Sequence, residues 1–187
     1  MQKRIFLLTG SPCVGKTTAL LRVIDKLKAE GYSVGGMVSR EVRQGGIRVG
    51  FEILDLTGNR RGWLAHISQN SGPQVGKYRV NLNDLEDVGV QAIMTAIKRC
   101  NIIVVDEIGP MELFSEKFRI AVKDAIESGK PLIGVVHWKA KDDLIKSIKG
   151  RNDVEILSLT FQNRDAVPNI VLEKLENFLN KHSSVKA

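Results

Sequence analysis

The chain has 187 residues, of which 28 are Lys or Arg and 21 are Asp or Glu, so its formal net charge is +7. A hydrophobic content of 43% with 26% charged residues supplies a core and excludes a disordered or fibrous chain. No apolar run approaches the roughly 20 residues that cross a bilayer, and residues 1–4 do not begin a signal peptide. We therefore expect a single soluble domain over residues 1–187, monomeric and cytoplasmic, with no membrane partner.

The first half of the chain predicts a strand, a turn, a helix and then a β-rich segment. An apolar run at residues 4–9 precedes a glycine-rich turn and a helix of about fourteen residues that ends at Gly31. Another strand is predicted over residues 33–39. Short alternating runs with turn signals between about residues 42 and 82 are typical of a β-hairpin insertion.

The second half alternates helices with strands. Asn83 is suited to cap a helix that runs to about Arg99. The later predicted elements are a strand at 101–106, a helix at 115–128, a strand at 131–137, a helix at 140–149, a strand at 154–159 and a helix at 168–180. This order predicts an α/β fold of three layers around a mostly parallel central sheet. We expect the tail at 182–187 to be frayed.

The strongest chemical signal is the segment GSPCVGKT at residues 10–17, which matches G-x-x-x-x-G-K-[ST] at every required position. It follows a predicted buried strand and opens a predicted helix, as this phosphate-binding loop requires. Its glycines allow successive backbone N–H groups to point at a phosphate, and the helix N-terminus adds partial positive charge. The predicted nucleotide-binding residues are Gly10, Ser11, Pro12, Cys13, Val14, Gly15, Lys16, Thr17 and Thr18.

Within this loop we assign three separate roles. Lys16 is predicted to act in catalysis by neutralising the β- and γ-phosphates. The Thr17 hydroxyl is predicted to bind Mg²⁺, and Thr18 is placed to reach the α-phosphate.

The second signal is an apolar strand that ends in Asp106 and Glu107. Neighbouring residues of a strand point to opposite faces, so the two acids are expected to have different roles. Asp106 is predicted to share the Mg²⁺ with Thr17 through water, because Mg²⁺ keeps several of its waters. Glu107 is the predicted catalytic residue that orients or deprotonates the attacking water.

These residues favour hydrolysis of a nucleoside triphosphate over phosphoryl transfer, because a glutamate for water is recognisable and a second substrate pocket is not. The segment Asn163-Arg164-Asp165 does not match the Asn-Lys-x-Asp pattern that reads guanine, so we expect low base selectivity. Two alternatives stay open: a P-loop kinase for a small molecule or RNA, and a nucleotide-switched nucleic-acid-binding module. Nucleic acid is the less favoured partner because the basic residues are scattered.

Several further residues have two interpretations each. Arg43 and Arg48 flank a Gly45-Gly46 hairpin turn, and either edge that turn or supply a charge-neutralising arginine to the nucleotide. His137 ends a strand and is either structural or in contact with the γ-phosphate. Glu112 either orders the site from behind or faces water. Trp63 and Trp138 either stack on a nucleobase or pack at an interface or rim. Arg164 is the downstream candidate for nucleotide contact. Cys13 and Cys100 are expected to be free thiols.

Taken in order, six stretches resemble the THEP-type, or cancer-related, nucleoside-triphosphatase family. They are the phosphate loop, EVRQGG at 41–46, VGKY at 75–78, VDEIG at 105–109, MELFS at 111–115 and NRD at 163–165. The resemblance implies a compact RecA-like fold and slow Mg²⁺-dependent hydrolysis of ATP, GTP and other nucleoside triphosphates to the diphosphate and phosphate. This chain departs from the family at Pro110, where a lysine is usual, and at His137, where a threonine-like residue is usual.

Overall fold

The computed structural model describes residues 2–183 and contains a nine-stranded mixed sheet. The strands are β1 (Ile5–Thr9), β2 (Val34–Gln44), β3 (Ile47–Asp55), β4 (Arg61–His66), β5 (Gln74–Val75), β6 (Tyr78–Val80), β7 (Ile102–Ile108), β8 (Leu132–Val136) and β9 (Val154–Ser158). Their order across the sheet is β5-β6-β4-β3-β2-β7-β8-β1-β9. The predicted mostly parallel centre is confirmed, because β2, β7, β8, β1 and β9 pair in parallel with their neighbours in this order.

The helices are α1 (Lys16–Ala29), α2 (Leu82–Asp84), α3 (Gln91–Arg99), α4 (Glu116–Glu127), α5 (Asp143–Lys149) and α6 (Val167–Ser183). A π-helical segment, Leu85–Val90, joins α2 to α3, and a 3₁₀ turn, Glu112–Phe114, follows β7. Among residues 2–183, no helix combines the length and the apolar character needed to cross a membrane. The predicted frayed tail falls partly on the end of α6, and residues 184–187 lie outside the described part of the chain.

Helices cover both faces of the parallel strands, as the alternation within β1 illustrates. Ile5 and Leu7 point into a core formed with α3, α4 and α5, while Phe6 and Leu8 point into a second core formed with α1 and α6. Successive side chains of a strand point to opposite faces, so β1 contributes to both cores. The three predicted layers are therefore present.

The predicted insertion extends the same sheet instead of forming a separate unit. β2 continues past the predicted end of its strand at residue 39, reaches Gln44 and turns through Gly45 and Gly46 into the antiparallel strand β3. Both glycines have positive φ angles, +56° and +80°, which a side chain disfavours. The predicted hairpin turn is confirmed, and β4, β6 and β5 follow as further antiparallel strands.

Two local predictions are wrong. The helix after the insertion is capped by Asn81 and not by Asn83, because Asn81 is extended and its side chain accepts a hydrogen bond from the Asp84 backbone N–H at 3.1 Å. The cap therefore falls two residues earlier than predicted. The helix predicted from residue 140 starts at Asp143, because Asp142 is extended and its side chain caps the helix by accepting a hydrogen bond from the Leu144 N–H at 2.9 Å. The remaining helix starts agree with prediction to within about two residues, and Ser115 caps α4 by accepting a hydrogen bond from the Phe118 N–H at 3.2 Å.

Candidate active site

All nine predicted nucleotide-binding residues lie on the turn from β1 into the first turn of α1. Gly10 has a φ of +151°, and a Cβ there would come within 2.5 Å of the Leu159 carbonyl oxygen, so only glycine fits. Gly15 immediately before the helix has a φ of +99°. The Val14 side chain is buried in the core, so only its backbone faces the loop. Pro12 has no N–H to offer a phosphate.

Lys16 is the first residue of α1, and its ammonium folds back over the loop. Its Nζ donates hydrogen bonds to the carbonyl oxygens of Gly10 and Ser11, both at 3.1 Å. The positive charge is thus held above the backbone amides that are suited to bind phosphate. The same charge lowers the pKa of both Asp106 and Glu107, which places it near the two carboxylates.

Asp106 is buried near the carboxyl end of β7, and this burial raises its pKa to about 7, against the lowering effect of a hydrogen bond from Thr17. Its Oδ2 is buried and has no hydrogen-bond partner among residues 2–183. An orphaned carboxylate oxygen beside a threonine hydroxyl fits a hard cation such as Mg²⁺, which prefers oxygen ligands. The described residues contain no group of three or more His, Cys, Asp or Glu placed to hold a metal. Mg²⁺ binds proteins through one or two protein oxygens together with waters and substrate phosphates.

Glu107 follows Asp106 and is more accessible than Asp106. Burial raises the pKa of its carboxyl group, and the nearby Lys16 and His137 side chains lower it. The carboxylate therefore lies close to both the phosphate loop and the end of β8. This is the region in which a group acting on water at a γ-phosphate is required.

His137 directly follows β8, the strand between β7 and β1. Its Nδ1 accepts hydrogen bonds from the backbone N–H groups of Lys139 and Ala140, at 3.3 and 3.0 Å. Because Nδ1 accepts, Nε2 is the ring nitrogen that can donate. One nitrogen thus orders the turn after β8, in agreement with the structural interpretation, and the other stays available as a donor.

Glu112 is a third buried carboxyl group beside these residues, with 4% of its surface exposed. A Cβ on Gly109 would lie 2.8 Å from Glu107 Oε1 and 3.2 Å from Glu112 Oε2, so both carboxyl groups border the same small space. Burial, followed by the nearby charge of Glu107, raises the pKa of Glu112 well above its usual value. The interpretation that Glu112 faces water is wrong.

Sequence reasoning underestimated Glu112, although a signal was present. An acid enclosed by Met111, Leu113 and Phe114, directly after the Asp-Glu strand, is unusual in an apolar turn. Leu113 is buried, whereas Phe114 is half exposed. Pro110, at the position where the family usually has lysine, is exposed and brings no charge to the site.

Arg43 and Arg48 lie on the β2–β3 hairpin, and both pair with Glu41. Arg43 Nε donates to Glu41 Oε1 at 2.7 Å, and Arg48 Nη1 donates to Glu41 Oε2 at 3.2 Å. Arg48 Nε also donates to the Tyr78 hydroxyl at 2.8 Å. This pairing agrees with the interpretation of the two arginines as charged edges of a hairpin.

The other candidates are dispersed. Arg164 lines a pocket beside the phosphate loop, together with Gly15 and Thr18. Trp138 follows His137 and is partly exposed, whereas Trp63 lies on β4 in the antiparallel part of the sheet, with its ring against His66. Among the described residues both cysteines are free thiols, Cys13 exposed and Cys100 buried, as predicted.

Comparison with known proteins gives the family. A family model described as NTPase matches residues 5–172. The nucleoside-triphosphatase THEP1 of Thermofilum pendens is 45% identical over 90% of this chain and 93% of its own length. The chain belongs to the THEP1 family. The THEP1 of Methanocaldococcus jannaschii is 43% identical over 92% of this chain and 96% of its own length.

Solved structures of the THEP1 family have the same fold. The crystal structure of THEP1 from Aquifex aeolicus matches with a TM-score of 0.80 and 29% identity, covering 92% of this chain and 99% of that one. The solution structure of a human cancer-related nucleoside triphosphatase matches with a TM-score of 0.79 and 32% identity, covering 94% of this chain and 98% of that one. The predicted family and the predicted α/β P-loop fold are both confirmed.

Proposed function

We propose that this chain hydrolyses nucleoside 5'-triphosphates to the diphosphate and phosphate, with Mg²⁺ as cofactor and with little discrimination between bases. Its THEP1 membership makes it a nucleoside-triphosphatase, a hydrolase that acts on phosphoric anhydrides. The observation that carries the proposal is the pair of carboxylates at the end of β7, both within the electrostatic influence of Lys16 on the phosphate loop. We further propose a cytoplasmic monomer.

Each residue of the site has a role that follows from its chemistry. The loop amides and the Lys16 ammonium bind and neutralise the phosphates. Thr17 and Asp106 would hold Mg²⁺, which would neutralise negative charge on the phosphates. Glu107 accepts a hydrogen bond from the attacking water and aligns it with the γ-phosphate, so that water takes the place that an acceptor hydroxyl takes in a kinase.

The burial of these carboxylates supports a catalytic role over a purely structural one. One carboxylate oxygen of Asp106 has no hydrogen-bond partner among the described residues. The nearby charge of Glu107 adds to burial in raising the pKa of Glu112. Such an arrangement destabilises the free protein unless a cation or a ligand compensates it. Mg²⁺ with a bound nucleotide supplies that compensation.

The experiment is phosphate release from ATP, GTP, CTP and UTP, each with Mg²⁺ and with chelator. Lys16→Ala protein, purified in parallel, controls for contaminating phosphatase. We expect release only with Mg²⁺, absent from the Lys16→Ala control, and rates for the four bases within about tenfold, or ~1.4 kcal/mol in activation free energy. Release that survives in the control would overturn the proposal, as would turnover that requires an added hydroxyl acceptor.

A further inference from the structure

A bound triphosphate has a defined direction across this site. The carboxylates on β7 and His137 after β8 mark the γ-phosphate end, on one side of the β1 loop. Thr18, one residue further into α1 than Thr17, marks the α-phosphate end. Since β9 lies on the other side of β1 from β8, the sugar and base are directed toward the segment that follows β9.

That segment borders a pocket next to the phosphate loop. The pocket has a volume of about 250 Å³, and its lining residues are Gly15, Thr18, Ala19, Arg22, Arg164 and Asp165. Two of them, Gly15 and Thr18, also belong to the phosphate-binding residues. The pocket is therefore continuous with the α-phosphate end of the site.

The segment is held firmly in position. Leu159 N–H donates to the Thr9 carbonyl oxygen at 2.7 Å, directly before the phosphate loop. Asn163 donates through Nδ2 to the Ser158 carbonyl oxygen at 2.9 Å and accepts through Oδ1 from the Thr160 N–H at 2.7 Å. Arg22 on α1 pairs with Asp165 at 2.7 Å. The side chains of this segment thus keep a defined position relative to the phosphates.

Phe161 and Arg164, on this segment, bring together an aromatic ring and a guanidinium group. Phe161 is 61% exposed, the second most exposed large hydrophobic residue of the described chain. The Arg164 guanidinium carbon lies 5.5 Å from the centre of its ring. Aromatic rings and guanidinium planes are the groups on which nucleobases stack, and stacking tolerates any base because every base has a π-face.

We infer that Phe161 and Arg164 form the platform on which the nucleobase stacks, with the sugar over the pocket between Gly15 and Arg22. This inference rests on the proposed function and explains the expected low base selectivity, because stacking does not read the hydrogen-bonding edge of a base. The tryptophans suggested by the sequence are less suited. Trp138 lies beyond His137 at the γ-phosphate end, and Trp63 lies in the antiparallel part of the sheet.

The test distinguishes the contribution of the base to binding from that of the phosphates. Dissociation constants are measured by calorimetry for the parent, for Phe161→Ala and for Phe161→Trp. The ligands are the Mg²⁺ complexes of tripolyphosphate and of ATP and GTP analogues that cannot be hydrolysed. Phe114→Ala is the matched control, because Phe114 is also a half-exposed phenylalanine but follows β7 at the other end of the site. Tripolyphosphate has the phosphates without sugar or base.

We expect Phe161→Ala to weaken both nucleotides by about tenfold, the scale of one lost base–aromatic stack. Tripolyphosphate binding stays within twofold of the parent, Phe161→Trp retains nucleotide binding, and Phe114→Ala matches the parent. Equal loss of tripolyphosphate and nucleotide, or unchanged nucleotide binding in Phe161→Ala, would overturn the platform. Binding is measured without turnover, so a parent that binds nucleotides but fails to hydrolyse them would contradict the proposed function and leave this test intact.

Discussion

The parallel and antiparallel parts of the sheet differ in how their charged side chains are buried and paired. In the parallel part, β1 and β8 are buried between helices. The carboxyl groups of Asp106 and Glu112, at the carboxyl edge of these strands, are also buried. Neither group has an ion-pair partner among residues 2–183. On the part of the β2–β3 hairpin nearer the turn, charged side chains are at least partly exposed and lie in pairs. Arg40 pairs with Glu52 at 2.8 Å, and Glu41 pairs with two arginines.

This difference indicates which part of the sheet is built to bind a ligand. A buried carboxyl group without a partner costs stability and is retained where a ligand or a reaction needs it. An exposed ion pair contributes little in either direction. We therefore expect substitutions at the edge of the parallel part to change activity strongly, and substitutions on the hairpin to change stability slightly.

The largest effect is expected for Lys16→Ala. Removing the ammonium leaves the phosphates without their nearest cation, so nucleotide binding and turnover should fall by about 10²-fold or more. The fold should persist, because Lys16 is partly exposed and its Nζ contacts only loop carbonyl groups. Calorimetry, phosphate release and thermal unfolding measure the three quantities. Arg43→Ala is the control, because it also removes one basic side chain but lies on the hairpin. Parent-like turnover in Lys16→Ala would exclude the loop as the active site.

The next effect is on the chemical step. Glu107→Gln should bind Mg-nucleotide within a few-fold of the parent and hydrolyse it about 10²-fold more slowly, the usual scale for loss of a general base. Single-turnover hydrolysis across a Mg²⁺ titration measures the rate constant and the metal requirement together.

Asp106→Asn is the contrasting variant for that experiment. It weakens the proposed metal site, so it should need more Mg²⁺ to reach a given rate. The two assignments are wrong if Glu107→Gln hydrolyses normally, or if its only defect is a higher Mg²⁺ requirement.

A smaller effect concerns stability and pH in the protein without nucleotide or metal. The pKa of Asp106 is about 7 in the folded chain and near 3.9 when unfolded, so this group takes stability away as pH rises between these values. Asp106→Asn should therefore gain stability over the parent with rising pH, levelling above about pH 7. At pH 8 we expect a gain of about 1 kcal/mol or more, or about 2–4 °C in Tm.

Thermal unfolding at pH 5 and pH 8 checks this expectation. Asp142→Asn is the opposite control, because a hydrogen bond from Arg119 lowers the pKa of Asp142 and its charge stabilises the fold. An Asp106→Asn gain that is equal at both pH values would mean that the carboxyl group is not titrating in this range.

The smallest effect is expected on the hairpin. Arg48→Ala removes a hydrogen bond to Tyr78 and the contacts of a guanidinium 5.2 Å from the Phe51 ring centre, so it should cost about 1 kcal/mol of stability. Arg43→Ala, whose contacts stay within the hairpin, should cost about 0.5 kcal/mol or less. Urea unfolding measures both, and phosphate release should match the parent in each. A hundredfold loss of turnover in either variant would show that the hairpin arginines act on the nucleotide.

The sequence by itself determined the features that depend on neighbouring residues. The phosphate loop is contiguous, so the spacing of Gly10, Gly15 and Lys16 predicts its conformation before any distant contact is known. The strand that ends in Asp106 is likewise visible as an apolar run followed by two acids. The alternation of strands and helices then predicts the parallel sheet, because parallel strands require crossover helices.

The tertiary structure decided what depends on distant partners. Glu112 becomes a buried neighbour of Glu107 only because the turn after β7 folds back over Gly109. Asn81 caps its helix because the preceding strand, β6, pairs with β4 and leaves Asn81 extended, with its N–H bonded to Leu64 at 2.8 Å. The segment that carries Phe161 and Arg164 lies beside the phosphate loop only through the pairing of β9 with β1. Burial and proximity between residues far apart in the chain are properties of the packed fold, which local patterns do not encode.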